Sequence, residues 1–147
     1  MDTKEVVDQF NAAFEKGDLD TCLSFLSGDF TFSGPVPEPI NAQGWMGTIT
    51  AMRAGMPDIN FNTKIVGVDG DKANVTTQLI GTHTADLDLS AMGMGVIPAT
   101  GKSFSNPEEP GVMTVANGKI TSYEIEPVEG GGLRGLLAQL GISPPGA

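Results

Sequence analysis

Cysteine and histidine are almost absent from this sequence, which carries one of each, Cys22 and His83. A lone cysteine excludes an internal disulfide, and the two residues are too few for a Cys/His-rich zinc site. Basic residues are also scarce. Eight Lys and Arg stand against 18 Asp and Glu, giving a formal net charge of −10. A field of that sign repels phosphate backbones and anionic membrane surfaces, so neither nucleic acid nor a membrane is an expected partner. No apolar run approaches the ~18 residues of a membrane-spanning helix. The start, Met1-Asp2-Thr3-Lys4-Glu5, lacks the basic and apolar segments of a secretory signal, and the expected location is cytoplasmic. Also missing are a glycine-rich phosphate loop and the nucleophile elbow of a serine hydrolase.

What is present suits a globular protein: 147 residues, 39% hydrophobic and 18% charged, the length of one domain spanning 1–147. Val7, Phe10 and Phe14 recur at helical spacing, with Thr3 placed to cap the helix and Gly17 to stop it. Asp18 offers a second cap, for a short helix that holds Cys22, Leu23, Phe25 and Leu26 and stops near Gly28. Cys22 reads as helix core. Phe30-Thr31-Phe32 is a brief strand, the segment Gly34 to Pro39 is a loop, and Asn41 caps a third helix carrying Trp45, Ile49 and Met52.

From Ile59 the period changes to two. Ile59, Phe61 and Ile65 alternate with Asn60, Asn62 and Lys64, Asp69-Gly70 supplies a turn, and a return strand runs from about Ala73 to Thr84. A third strand segment after Gly101 is interrupted by Pro107-Glu108-Glu109-Pro110, resumes as Val112 to Ala116, and turns at Asn117-Gly118 into Lys119 to Glu126. The glycines Gly130 to Gly132 then separate the last strand from a short helix with Leu133, Leu136, Leu137 and Leu140. Helices followed by an antiparallel meander imply an α+β architecture, with helices covering one face of a curved sheet.

Several ordered motifs carry a family resemblance. Gly81-Thr82-His83-Thr84 followed by Ile97-Pro98-Ala99-Thr100-Gly101-Lys102 resembles the core signature of SnoaL-like polyketide cyclases and related ester cyclases, in the NTF2-like superfamily. Met56-Pro57-Asp58-Ile59-Asn60-Phe61, Asn117-Gly118-Lys119-Ile120 and Gln139-Leu140-Gly141 are similar to further pieces of that family, in the same order. The resemblance implies an NTF2-like (cystatin-like) cone, with N-terminal helices packed on a strongly curved, mostly antiparallel sheet that encloses a deep apolar cavity. It also implies a small hydrophobic ligand and a homodimer packed through the sheet. The implied activity is a cofactor-free and metal-free intramolecular aldol cyclisation, or a related proton transfer, on a hydrophobic carbonyl compound.

Such chemistry needs a carboxyl group whose pKa is raised by an apolar cavity, and donors facing the developing enolate oxygen. The resembled family places its acid near the end of the last strand, usually an Asp, but no Asp follows Lys119 here. Glu124-Ile125-Glu126-Pro127-Val128-Glu129 stands there instead, with the matching position near Val128 or Glu129, so Glu126 or its neighbour Glu124 is the expected acid–base residue and Glu129, at the loop entrance, is the remaining alternative. By strand parity Glu124 and Glu126 share a face, either lining the cavity or facing water while Tyr123 and Ile125 point inward. His83 shares parity with Val75 and Leu79 and is expected to assist from the cavity wall; a core imidazole bonded to backbone is the other reading.

Phe32, Trp45, Met52 and Tyr123 are expected walls for substrate, and core packing explains each of them equally well. Met94, in Met92-Gly93-Met94-Gly95, suits a lid over an apolar ligand. The proline-bounded Glu108-Glu109 pair is either a bulge that re-aims one carboxylate toward a site or an exposed acidic edge. The enzyme reading therefore stands beside a non-catalytic one, a ligand-binding or dimerisation module with the same fold.

Overall fold

The computed structural model describes residues 2–34, 38–90 and 95–142, apart from the side chain of Leu133. Helix α1 (Thr3–Lys16) begins one residue from where the spacing suggests. Asp2, not Thr3, is its cap, accepting the Glu5 N–H, because an aspartate side chain reaches the third amide of the turn. Gly17 ends it with φ 77°, and the Arg53 guanidinium donates to the Phe14 carbonyl, so a cation serves the helix C-terminus. Helix α2 (Leu19–Phe25) is capped by Asp18 as expected but is shorter than expected. Its last apolar residue, Leu26, already belongs to strand β1 (Leu26–Ser33). Parallel pairing of β1 with the last strand outweighs the local helical pattern there. Asn41 caps α3 (Ala42–Gly55) through the Gly44 N–H.

Strands β2 (Lys64–Asp69) and β3 (Lys72–Thr77) form the hairpin at Gly70. The predicted return strand breaks at Gln78-Leu79, and β4 (Ile80–Thr82) leaves the main sheet to pair with β7 (Ser103–Ser105). Between them, β5 (Leu87–Asp88) pairs with β6 (Val96–Ile97). Strand β8 (Glu109–Ala116) starts three residues before the expected Val112 and turns at Asn117-Gly118 into β9 (Lys119–Ile125). Both turn residues have positive φ, 52° and 75°, as a two-residue hairpin turn requires. Helix α4 (Gly132–Gln139) follows.

The main sheet has the order β1-β9-β8-β3-β2, with β1 parallel to β9 and every other pairing antiparallel. Helices α1 and α3 lie on its inner face. Trp45 of α3 is the hub of the core between the layers, stacked on Phe32 at 4.9 Å and Phe30 at 5.3 Å, with Phe14 at 5.4 Å and Tyr123 at 5.5 Å. Each aromatic pair is worth about 0.5–1.5 kcal/mol beyond its buried area. Cys22 is fully buried, and burial pushes its thiol up to about 11. Among the described residues, no helix is long and apolar enough to cross a membrane.

Candidate functional site

Between α1, α3 and the sheet lies a cavity of about 90 Å³. Its wall is mostly aromatic and aliphatic: Phe10 and Phe14 from α1, Trp45, Ile49 and Met52 from α3, Phe32 from β1, and Tyr123 from β9. Four of the expected substrate-wall residues, Phe32, Trp45, Met52 and Tyr123, therefore meet at one cavity. The fifth, Met94, lies outside the described residues.

The last strand resolves the parity question against the expected acids. Tyr123 and Ile125 are buried while Glu124 is exposed, and Glu126, just past the strand end, is exposed as well. The reason is register: Met113 of β8 sits opposite Tyr123, so the inward face of β9 is fixed by an apolar neighbour and Glu124 turns away. Neither Glu124 nor Glu126 lines the cavity.

The cavity nevertheless holds a carboxyl, from Glu109. Glu109 opens β8, whose inward positions are Glu109, Gly111, Met113 and Val115, and it is 2% exposed. Its Oε1 accepts the backbone N–H of Gly132 at 2.8 Å. Its Oε2 is buried and has no hydrogen-bond partner among the described residues. Burial holds this carboxyl above the usual carboxylate range, and the Gly132 N–H pulls it partly back. Tyr123 answers to the same environment: burial first, and the Glu109 charge second, push its phenol above the ordinary tyrosine range.

The start of α4 forms the seat of this acid. A Cβ at Gly131 would lie 2.8 Å from Glu109 Cδ, so only glycine leaves room for the carboxyl there. Buried Asn106 fixes the next residue, donating from Nδ2 to the Gly132 carbonyl at 2.9 Å and accepting from Gln139 Nε2 at 2.8 Å. Parity from Met113 back through Gly111 reaches Glu109, and that was the signal available in the sequence. Of the two readings of the proline-bounded pair, Glu109 is the carboxylate turned inward, and the exposed acidic edge does not apply to it.

His83 is fully buried but does not line the cavity. The alternation of buried residues continues from Val75 through Leu79 and Gly81 to His83, so the side chain is inward as expected, but β4 has left the main sheet for β7 and His83 is buried away from the cavity, as a core imidazole bonded to backbone. Its Nδ1 accepts the Thr100 N–H at 3.2 Å and lies 3.1 Å from Thr100 Oγ1, while its backbone bonds Lys102 and Gly101. An acceptor at Nδ1 places the ring proton on Nε2, which is buried and unpartnered among the described residues. His83 thus clamps the segment Thr100 to Lys102 onto the end of β4. Among the described residues, no three His, Cys, Asp or Glu side chains gather as metal ligands.

Helices over a mixed, mostly antiparallel sheet, with an apolar cavity between the layers, define an NTF2-like cone fold. The SnoaL-like domain profile matches residues 7–123, and the chain belongs to that family. Solved structures agree in fold. A protein from Xanthomonas campestris pv. campestris described as a candidate polyketide cyclase is 19% identical, with a TM-score of 0.70 over 94% of this chain and 96% of that one. AclR from Streptomyces galilaeus, described as a candidate hydroxylase, is 18% identical, with a TM-score of 0.72 over 95% of this chain and 80% of its own. An NTF2-like protein of unknown function from Burkholderia pseudomallei is 13% identical, with a TM-score of 0.68 over 95% and 98%. No curated protein matches the sequence closely.

Proposed function

We propose that this protein is a cofactor-free acid–base catalyst for an apolar carbonyl compound, with Glu109 rather than Glu124 or Glu126 as the group that carries the proton. The observation behind this reading is one carboxyl buried in an apolar wall, held by one oxygen and without a partner at the other among the described residues. A carboxyl displaced upward from its ordinary range lies nearer the operating pH, where proton transfer in both directions is efficient. In its ionised form Oε2 takes a proton from the carbon between carbonyls, leaving an enolate. In a cyclisation the enolate carbon bonds to a second carbonyl carbon of the same molecule, and the alkoxide formed takes the proton back from Glu109. The carboxylate is regenerated and no external reductant or oxidant is consumed. Tyr123, kept neutral by its raised pKa, is the wall's candidate donor to the enolate oxygen.

The test is loss of α-hydrogen signal from small ketones and 1,3-dicarbonyl compounds in D₂O, followed by proton NMR with and without protein. Exchange above the buffer rate that disappears in Glu109→Gln supports the reading. Ligand binding without exchange would instead make the protein a binding module. The same reading includes a homodimer through the sheet, since β2 leaves Val66 65% and Val68 43% exposed. Sedimentation equilibrium of the wild type and of Val66→Lys tests it, and a monomeric wild type contradicts it.

A further inference from the structure

We infer that Asn106, braced by Gln139, is a positioning residue for Glu109: it fixes Gly132 at the place where the Gly132 N–H meets Glu109 Oε1, and so keeps the acid ready to take a proton at Oε2. This rests on the reading of Glu109 as the reactive group of the cavity, and it names what regulates that group.

The backbone around Gly132 cannot hold this place alone. Gly130, Gly131 and Gly132 follow one another, and Gly130 and Gly132 lie at φ 79° and 66°, in a region that glycine enters freely and leaves as freely. Gly131 stands at the N-cap of α4 with no side chain to cap it. Glu109 caps the helix from β8 instead, since it accepts the N–H of the first helical residue. The aim of that bond therefore depends on what else holds Gly132.

Asn106 is that hold. It is 1% exposed, and both of its backbone groups are engaged, the N–H by Leu79 O at 2.8 Å and the carbonyl by Gln78 Nε2 at 3.1 Å. The orientation of its amide follows from the groups at either end. The Ser105 N–H can only donate, so the Gln139 atom it meets at 2.8 Å is Oε1, and Nε2 of the same amide is left to donate. Asn106 Oδ1 accepts that donor at 2.8 Å, which turns Nδ2 to the Gly132 carbonyl at 2.9 Å, a group that can only accept. Four hydrogen bonds thus run in one sense, from Ser105 through Gln139, Asn106 and Gly132 to Glu109. Aligned bonds of this kind polarise one another. The same chain grips α4 at its first residue and at its last.

Few charges compete for the carboxyl. Around it α1 contributes Asn11, α3 Thr48, β3 Thr77 and β9 Tyr123 to the cavity wall, and among the described residues no Lys, Arg or His lines that wall. Arg134, the charged residue of α4, and Glu108, the neighbour on the chain, are both exposed. Burial disfavours the ionised carboxyl and the Gly132 N–H favours it. Misplacing Gly132 leaves burial unopposed, so the carboxyl keeps its proton to higher pH.

The experiment is a carbon-13 NMR titration of the Glu109 side-chain carbon in ligand-free protein, with α-hydrogen exchange of butanone followed against pH on the same samples. Wild type is compared with Asn106→Leu, Gln139→Met and the double variant. Leucine and methionine keep about the volume of the side chains they replace and remove their hydrogen bonds. In Asn106→Leu the midpoint is expected to rise by about 0.5 or more, and the rising limb of the exchange profile to move with it. Gln139→Met alters an exposed residue and is expected to raise the midpoint by less. The double variant should match Asn106→Leu alone, because the two side chains act in series. His83→Ala weakens the fold away from the cavity and should leave the midpoint in place. A midpoint in Asn106→Leu that stays or falls, additive shifts in the double variant, or an equal shift in His83→Ala overturns the inference. Should Asn106→Leu fail to fold, an unmoved midpoint in Gln139→Met overturns it alone. Exchange activity retained in Glu109→Gln would defeat the catalytic reading and leave the midpoint shifts, read without substrate, standing.

Discussion

Glu109 Oε1 accepts the backbone N–H of Gly132 at 2.8 Å, joining the first residue of β8 to the first residue of α4 across 23 positions of sequence. The bond decides which carboxylate oxygen is engaged and which has no partner among the described residues. It also makes the acid a joint product of two elements: the strand carries the side chain, and the helix start supplies the N–H and, at Gly131, the space.

Glu109→Gln preserves shape and a hydrogen-bonding group but cannot cycle a proton. Catalysed α-hydrogen exchange is expected to fall roughly 10²–10⁴-fold. Glu124→Gln and Glu126→Gln change exposed groups outside the cavity, and exchange should stay within about twofold of wild type. A large loss in either of those variants would return the chemistry to the end of β9.

Stability and activity should respond to pH in opposite senses. The Glu109 pKa is raised in the folded state, so the native protein holds this proton more tightly than the unfolded chain. Its contribution is fully present below the unfolded value near 4.5 and is lost as pH rises through the folded value. Glu109→Gln should therefore melt higher than wild type on the alkaline side, by about 3 °C per kcal/mol gained, with the gap closing toward acid. Calorimetry at the two extremes checks this. Exchange activity, which begins from the carboxylate, should rise with pH over that window, on a limb displaced above 4.5.

The seat of the acid can be disturbed without touching the acid. Gly131 has φ −93°, which any residue adopts, so Gly131→Ala tests contact alone. The new methyl would lie 2.8 Å from both Glu109 Cδ and Val128 Cγ2, and the carboxyl must shift. Exchange should drop at least about tenfold while the far-ultraviolet spectrum is unchanged. Asn106→Ala strands the buried Gly132 carbonyl and should cost about 1–3 kcal/mol in denaturant unfolding.

His83→Ala removes the Nδ1 acceptor of the Thr100 N–H and leaves a hole beneath the segment Thr100 to Lys102. The expected result is a stability loss of about 1–3 kcal/mol with little change in the exchange rate per folded molecule. Amide hydrogen exchange should quicken at Thr100 and Gly101. A rate loss far beyond the loss of folded protein would place His83 in the chemistry.

Much of the fold was legible because its signals are local. Gly17, Asp18, Asn41 and Asn117-Gly118 act within a few residues of themselves, and each stands at an end or turn of the kind expected. The departures arose where distant pairing decides. Leu26 joins a strand because β9 lies beside it, and the chain leaves the main sheet at Gln78 because β7 receives β4. The cavity walls were legible as large apolar side chains on inward faces. The acid was legible only as one of two readings, because the proline-bounded Glu108-Glu109 pair reads equally as a re-aimed carboxylate and as an exposed edge until the α4 glycines are seen folded over Glu109. His83 is inward as its parity with Val75 and Leu79 indicated, but β4 pairs with β7 outside the main sheet, so it is a core imidazole bonded to backbone and not a cavity residue.

The most direct measurement is the titration of the Glu109 side-chain carbon in ligand-free protein by carbon-13 NMR, assigned by its absence in Glu109→Gln. The account predicts one carboxyl with a midpoint clearly above 4.5, assigned to Glu109. A Glu109 midpoint at or below 4.5 would show a hydrated surface acid and contradict the buried proton carrier on which the proposed function depends.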